Sequence, residues 1–159
     1  ATLSLCGVHA SFGEFTEAQR QEFVDRRRKP LVDEGKTPAD MAPSLASHLM
    51  APDQNLDIYN QIVASISSLH VESYIKTIQA TTYYDRSGIL AEIKVPTLVV
   101  VGEHDALTSV EMKRDLAERI PGARFEIMPD CGHMANMEQP EKFNALIGGF
   151  LAEHNDLAR

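Results

Sequence analysis

The sequence is short of cations: fifteen Lys and Arg stand against twenty-three Asp and Glu, a net charge of −8. Nucleic acid and anionic membrane surfaces call for a basic face, so neither is expected as a partner. Apolar runs are short as well. None approaches the roughly 20 residues that a membrane-spanning helix needs, and no basic stretch followed by an apolar segment marks a secretory signal at the N-terminus. Cysteine is confined to Cys6 and Cys131, too few for a disulfide framework. A soluble protein of the reducing cytoplasm is the expectation. An initiator methionine is also lacking, and Ala1-Thr2-Leu3-Ser4-Leu5 reads like a strand entered part-way. The rest is ordinary for a globular protein: 43% hydrophobic and 24% charged residues over 159 positions, close to one domain in length.

Three textures follow one another along the chain. Thr2 to Val8 is a short apolar run closed by Gly7, as in a buried strand. From Phe15 to about Ala80 the spacing is helical. Thr16 is placed as an N-cap, and the cationic run Arg26-Arg27-Arg28-Lys29 predicts a helix end just before Pro30, where the dipole favours positive charge. Thr37-Pro38 opens a second helix that runs to about Met50, with Pro52 beyond it. Asn55 to Leu69, with Ile58, Ile62, Val63 and Ile66 on one face, predicts a third, and Tyr74, Ile75 and Ile78 mark a fourth from about Val71.

At Ile93 the texture changes again. Val95-Pro96-Thr97-Leu98-Val99-Val100-Val101-Gly102 is apolar on both faces, as a central strand of a covered parallel sheet is. Thr108-Ser109-Val110-Glu111 fits a capping box with Thr108 at the cap, opening a helix with Met112, Leu116 and Ile120 on its buried face. Arg124 to Met128 alternates, with Phe125 and Ile127 on one face. Strand, helix and strand then make a βαβ unit with parallel strands. Pro140 opens a last helix striped by Phe143, Leu146, Ile147, Phe150 and Leu151.

Ligands of open parallel sheets bind beyond the carboxyl ends of the strands, and two polar segments fall there. Gly102-Glu103-His104-Asp105 follows the first strand of the βαβ unit, and Asp130-Cys131-Gly132-His133 follows the second. One crossover joins those strands, so Asp105 and His133 can face each other. A carboxylate that orients an imidazole and stabilises its protonated form is the acid–base half of a nucleophilic triad. Taken alone, Asp105 also suits a turn after a strand. Glu103 and His104 read as exposed loop residues or supports, and Cys131 as a small buried side chain. His104, Asp105, Cys131 and His133 are metal-ligand types, but none share the i, i+4 spacing of helix-borne sites; no metal and no cofactor is expected. His9 is a candidate pocket residue; His48, His70 and His154 read as surface or cap positions, and Met134 and Met137 as packing.

The stretch from Val95 to Asp105, followed by Cys131-Gly132-His133-Met134 and Glu138-Gln139-Pro140-Glu141, resembles the C-terminal part of an α/β-hydrolase. It is most similar to the branch of 3-oxoadipate enol-lactonases and related small esterases. The likeness runs from about Ile93 to Leu151. It implies an α/β class: a partial α/β-hydrolase fold, a parallel sheet with flanking helices and a helical cap. Residues 1–11 would be a core strand, 12–88 the cap, and 89–159 the C-terminal part of the core. It further implies hydrolysis of an ester or lactone through a covalent acyl-enzyme, Asp105 orienting and His133 acting as general base and then acid.

The family's nucleophile sits in G-x-S-x-G, ahead of the acid and the histidine, and this sequence has no such motif. Ser87 and Ser109 lie in a turn and a helix start, where capping explains them. The nucleophile is therefore expected from an N-terminal segment absent from this chain, roughly a hundred residues by the usual size of such domains. The chain alone should be inactive. Its partners are expected to be a small-molecule ester or lactone and either the complementary N-terminal segment or a second copy covering the exposed sheet edge. Two other classes remain open: a non-catalytic remnant or interaction domain, and a dehalogenase or carbon–carbon hydrolase on the same fold.

Overall fold

The computed structural model of the chain describes residues 1–13, 15–52 and 55–154. They form two units. The first comprises Ala1–His9, His48–Asn55 and Ile89–Arg159, and the second Ala10–Ser47 and Leu56–Gly88. The ends of the expected 89–159 part, residues 155–159, and positions 14, 53 and 54 of the expected 12–88 part lie outside the described residues.

The first unit is built on three strands, β1 (Leu3–Cys6), β2 (Thr97–Gly102) and β3 (Arg124–Met128), paired parallel in the order β1-β2-β3. β2 is central and buried at every position. That explains its two-sided apolar run, since a strand covered on both faces leaves no site for a solvated side chain. Leu98, Val99, Val100 and Val101 are each at most 1% exposed, and full burial of such side chains is worth about 1.5–3 kcal/mol apiece. Pro96 stands just before the strand, where no ladder donor is lost, and its carbonyl accepts from Leu3 N at 2.9 Å.

Helix α5 (Val110–Glu118) joins β2 to β3 and packs against both. On the other face Leu98, Val100, Met128, Cys131, Ala135 and Phe150 form the core, with Phe143, Leu146 and Ile147 packed on it. Phe143, Leu146, Ile147 and Phe150 lie on the last helix, Pro140–Glu153, whose first position is the expected proline. Three expected core positions are more open. Met112, in the first turn of α5, is 44% exposed, so the buried face of that helix is Lys113, Leu116 and Ala117 with Ile120 just beyond it. Ile127, on the outer strand β3, and Leu151, at the margin of the helix stripe, are 39% and 48% exposed; an edge strand has no neighbour on one side to cover it.

The second unit is helical. Helix α1 (Glu17–Val32) begins with the expected cap: Thr16 Oγ1 accepts from Gln19 N, and Thr16 N donates to Gln19 Oε1 at 2.8 Å. It does not stop before Pro30 but continues through it to Val32. A proline in the last turn forfeits one intrahelical bond, and Leu31, 9% exposed, gains burial by continuing. α1 packs against α4 (Val71–Thr82), and Phe12, Phe15 and Phe23 cluster with ring centroids 4.8 to 6.4 Å apart. Helices α2 (Pro38–Leu49) and α3 (Leu56–Ser67) lie close to their expected spans.

Ala10 and Ser11 fall in the helical unit, and His48–Asn55 clusters with the sheet unit. Hydrogen bonds tie it there. Leu49 O accepts from His133 N at 2.8 Å, and Ala51 N donates to Glu138 Oε2 at 2.8 Å.

Candidate functional site

Asp105 follows β2 and His133 follows β3, and the two side chains meet: His133 Nδ1 lies 2.9 Å from Asp105 Oδ2. The contact is within hydrogen-bond range. Asp105 is buried, 6% exposed, and its carboxylate is fully engaged. Oδ1 accepts from Leu107 N and Thr108 N, both at 2.9 Å, while Oδ2 takes the Thr108 hydroxyl at 2.6 Å beside the imidazole. Burial pushes the Asp105 carboxyl up, but the hydrogen bonds from His133 and Thr108 outweigh it and hold the group at about 2. Its charge is therefore secure at neutral pH, and an anionic oxygen beside Nδ1 fixes the tautomer that leaves Nε2 unprotonated.

Thr108 is the residue the sequence pattern misplaced. It was expected as the cap of α5; Ser109 is the cap, its Oγ accepting from Met112 N at 3.3 Å. Thr108 instead serves Asp105 with both its backbone N–H and its hydroxyl. Two adjacent cap-forming residues cannot be told apart by type, but a Thr three positions after an Asp is the spacing of a side-chain-closed turn.

The loop carrying His133 is held by a second carboxylate. Glu138 Oε2 accepts from Gly132 N at 3.0 Å and from Ala51 N, and Oε1 accepts from Met134 N at 3.1 Å. Glu138 stood in the quoted motif without a role; here it gathers backbone donors on both sides of the histidine. It lies in a single-turn helix, α6 (Ala135–Glu138), that no periodicity announced. The last helix is accordingly α7. Gln139 Nε2 adds bonds to the carbonyls of Pro129 and Asp130 at 2.8 and 2.9 Å.

Glycines permit the close approach. A Cβ on Gly132 would stand 2.6 Å from Ala51 N, and one on Gly102 would lie within 2.4 Å of the carbonyl oxygens of Cys131 and Gly132. Gly7, at φ +57°, lies against the imidazole: a Cβ there would sit 3.1 Å from His133 Cε1. Gly7 and Gly102, with Cys6, Asp105, His133 and Phe143, line a pocket of about 190 Å³ onto which the Asp105–His133 pair opens.

The other candidates sort themselves. Cys131 is fully buried, and burial, with the Glu138 charge adding to it, drives its thiol up to about 12, where it is no nucleophile. Ser87 N closes a turn on Asp85 Oδ1 at 2.8 Å. His70 caps α4 through Ser73 N. His154 bonds the Phe150 carbonyl at 2.8 Å. His9 is not among the pocket's lining residues, although the charges of Lys113 and His133 both reach it. Glu103 and His104 are exposed, Glu103 bracing the next loop through Asp130 N at 3.1 Å. The four residues weighed as metal ligands do not gather; among the described residues Glu103, His104 and Asp130 do, all exposed and with no ion required to explain them.

The family model described as the alpha/beta hydrolase fold matches residues 7–140. The chain belongs to this family. Within it, the chain is 36% identical over 85 residues to a 2-hydroxy-6-oxononadienedioate/2-hydroxy-6-oxononatrienedioate hydrolase of Escherichia coli, covering 52% of this chain and 30% of that one. Among solved alpha/beta hydrolase structures, a thermophilic esterase from Thermogutta terrifontis superposes with a TM-score of 0.82 at 26% identity, over 96% of this chain and 56% of that one. The enol-lactonase from Burkholderia xenovorans LB400 shares the fold at a TM-score of 0.81 and 24% identity, covering 95% of this chain and 56% of its own. The chain thus spans about a third of the curated relatives' length and about half of the solved ones. No described helix is long and apolar enough to cross a membrane.

Proposed function

We propose that this chain carries the acid–base half of an ester or lactone hydrolase, with Asp105 and His133 as the catalytic pair. The observation that carries the reading is the 2.9 Å contact between His133 Nδ1 and a buried, ionised Asp105 at the mouth of a pocket. Asp105 holds Nδ1–H, so Nε2 takes the proton of an attacking hydroxyl as the acyl bond forms and returns it to the leaving alcohol. A water activated by the same nitrogen then releases the acid. The nucleophile comes from outside these 159 residues, on a complementary N-terminal segment that pairs with the open edge of β1 and supplies the oxyanion donors. The helical unit serves as the cap that shapes substrate choice. Both cysteines are free thiols, which supports a cytoplasmic setting.

A second reading, cleavage of a carbon–carbon bond, is favoured by the 36% identity to the 2-hydroxy-6-oxononadienedioate/2-hydroxy-6-oxononatrienedioate hydrolase. The same pair serves either reaction. The test supplies an N-terminal hydrolase segment to the chain and assays p-nitrophenyl acetate, a simple lactone and a vinylogous 1,5-diketone. Ester or lactone turnover by the assembly, with none above buffer from the chain alone, is the expected result. Turnover by the chain alone that is lost on changing Cys131 or one serine overturns the assignment of the nucleophile.

A further inference from the structure

One hydrogen-bonding side chain beside the acid–base pair has no part in the mechanism. Asn136 stands in the first turn of α6, three residues beyond His133, and lines the pocket while remaining exposed to solvent. Its carboxamide makes no hydrogen bond among the described residues. The turn that carries it is firmly held: the Met134 carbonyl accepts from Met137 N and Glu138 N at 2.8 and 2.9 Å, and Glu138 Oε1 accepts from Met134 N at 3.1 Å. An amide without a partner, on a fixed turn, is presented to whatever enters the pocket.

The rest of the wall decides what enters. Val100, Ala135 and Phe143 supply apolar surface, backed by the buried core. The Asp105 carboxylate is already engaged by four donors. His133 commits Nδ1 to it, which leaves Nε2 for proton transfer. Burial pushes the Cys6 thiol up, so it adds no charge at neutral pH. No Lys or Arg lines the pocket, and Lys113, enclosed at 1% exposure, is not among its lining residues. A carboxylate brought here would meet the like charge of Asp105 and no cation. An uncharged oxygen on an apolar frame meets the Asn136 amide instead, with its two donors and one acceptor.

We propose that Asn136 is a specificity-determining residue: its carboxamide holds a keto or hydroxyl oxygen of the substrate that lies outside the scissile bond, while the adjoining carbons pack against Val100, Ala135 and Phe143. The inference rests on the reading of Asp105 and His133 as the acid–base pair of a hydrolase. The scissile carbonyl belongs to the oxyanion donors and the leaving oxygen to His133 Nε2, so Asn136 addresses a further oxygen. The substrate class narrows accordingly, to esters or lactones that carry an uncharged oxygen beyond the reacting group, and against those that place a carboxylate in this pocket.

The test is a titration of the 159-residue chain with cyclohexanone, followed by two-dimensional amide NMR. Saturable shifts of the Asn136 side-chain amide, together with the backbone amides of Gly7 and Ala135, are the expected result, whereas cyclohexanecarboxylate at equal concentration should leave all three in place. Asn136→Leu keeps the shape and removes the hydrogen bonds. It should weaken cyclohexanone binding about fivefold, the effect of one neutral hydrogen bond. Binding by Asn136→Leu as tight as by the wild type, equal binding of the carboxylate, or no saturable shift at all overturns the inference. Should the variant not fold, the wild-type spectrum decides alone: shifts at Gly7 and Ala135 with the Asn136 side-chain signals unmoved overturn it. Failure of the underlying reading looks different. If His133→Ala leaves ester hydrolysis by the assembly unchanged, the acid–base reading fails, and with it the substrate role of Asn136, even where cyclohexanone binds. If that variant abolishes hydrolysis while Asn136→Leu binds cyclohexanone as well as the wild type, only the role of Asn136 fails.

Discussion

Asp105→Asn removes one charge and reverses one hydrogen-bond direction. The wild-type carboxylate receives four donors: Leu107 N and Thr108 N on Oδ1, and the Thr108 hydroxyl and His133 Nδ1 on Oδ2. An asparagine whose amide oxygen stays with the two backbone donors turns its NH2 toward Thr108 and His133. The threonine hydroxyl can rotate to accept. The imidazole can accept only by moving its proton to Nε2, the tautomer that is no longer a base. The energetic cost follows from the carboxyl group, held at about 2 against an ordinary 3.8. That difference corresponds to about 2.5 kcal/mol of folding stability at neutral pH.

Because the folded-state value is the depressed one, this contribution is complete above pH 3.8 and is lost as pH falls through about 2. Urea denaturation of wild type and Asp105→Asn between pH 7 and 2 should therefore show a gap of about 2.5 kcal/mol that is level down to about pH 4 and closes below it. Taking the difference cancels the carboxylates common to both proteins. A gap of the same size at pH 7 and pH 2, or none at pH 7, would refute the argument.

Three further outcomes are expected. Glu138→Ala deletes the acceptor of three backbone donors around the His133 loop and should cost about 3–5 kcal/mol by chemical denaturation, with faster amide exchange at Gly132 and Met134. Gly132→Ala drives a Cβ to 2.6 Å from backbone of the 48–55 segment; a chain as stable as wild type would show that this packing is not as tight as described. Lys113 has its folded-state value lowered from 10.5 to about 8, so the unfolded chain binds the extra proton and the Lys113 contribution to wild-type stability should rise by about 3 kcal/mol between those pH values, against the opposite contribution of the raised Cys131 thiol above pH 9. Lys113→Met should lack that rise.

Legibility in the sequence followed the range of the forces involved. β2 could be read from its own residues, because burial on both faces writes a continuous apolar run into the strand. Asp105 and His133 were legible because parallel strands deliver their following loops to one end of the sheet. The contributions of Glu138 and of the segment 48–55 were not, since the bond from Ala51 N to Glu138 joins positions far apart in sequence, and no local period records it. Thr108 and Ser109 are interchangeable as caps until the position of Asp105 is known. Pro30 was overread as a stop, because its effect on the ladder is local while the burial of Leu31 is tertiary.

The central claim, that Asp105 and His133 are the acid–base pair of a hydrolase completed by a nucleophile from elsewhere, is tested most directly by His133→Ala in the assembly with an N-terminal hydrolase segment. p-Nitrophenyl acetate hydrolysis should fall by about 10³-fold or more, while sedimentation shows the same assembly and thermal unfolding stays cooperative. Activity within tenfold of wild type in an intact assembly would contradict the account.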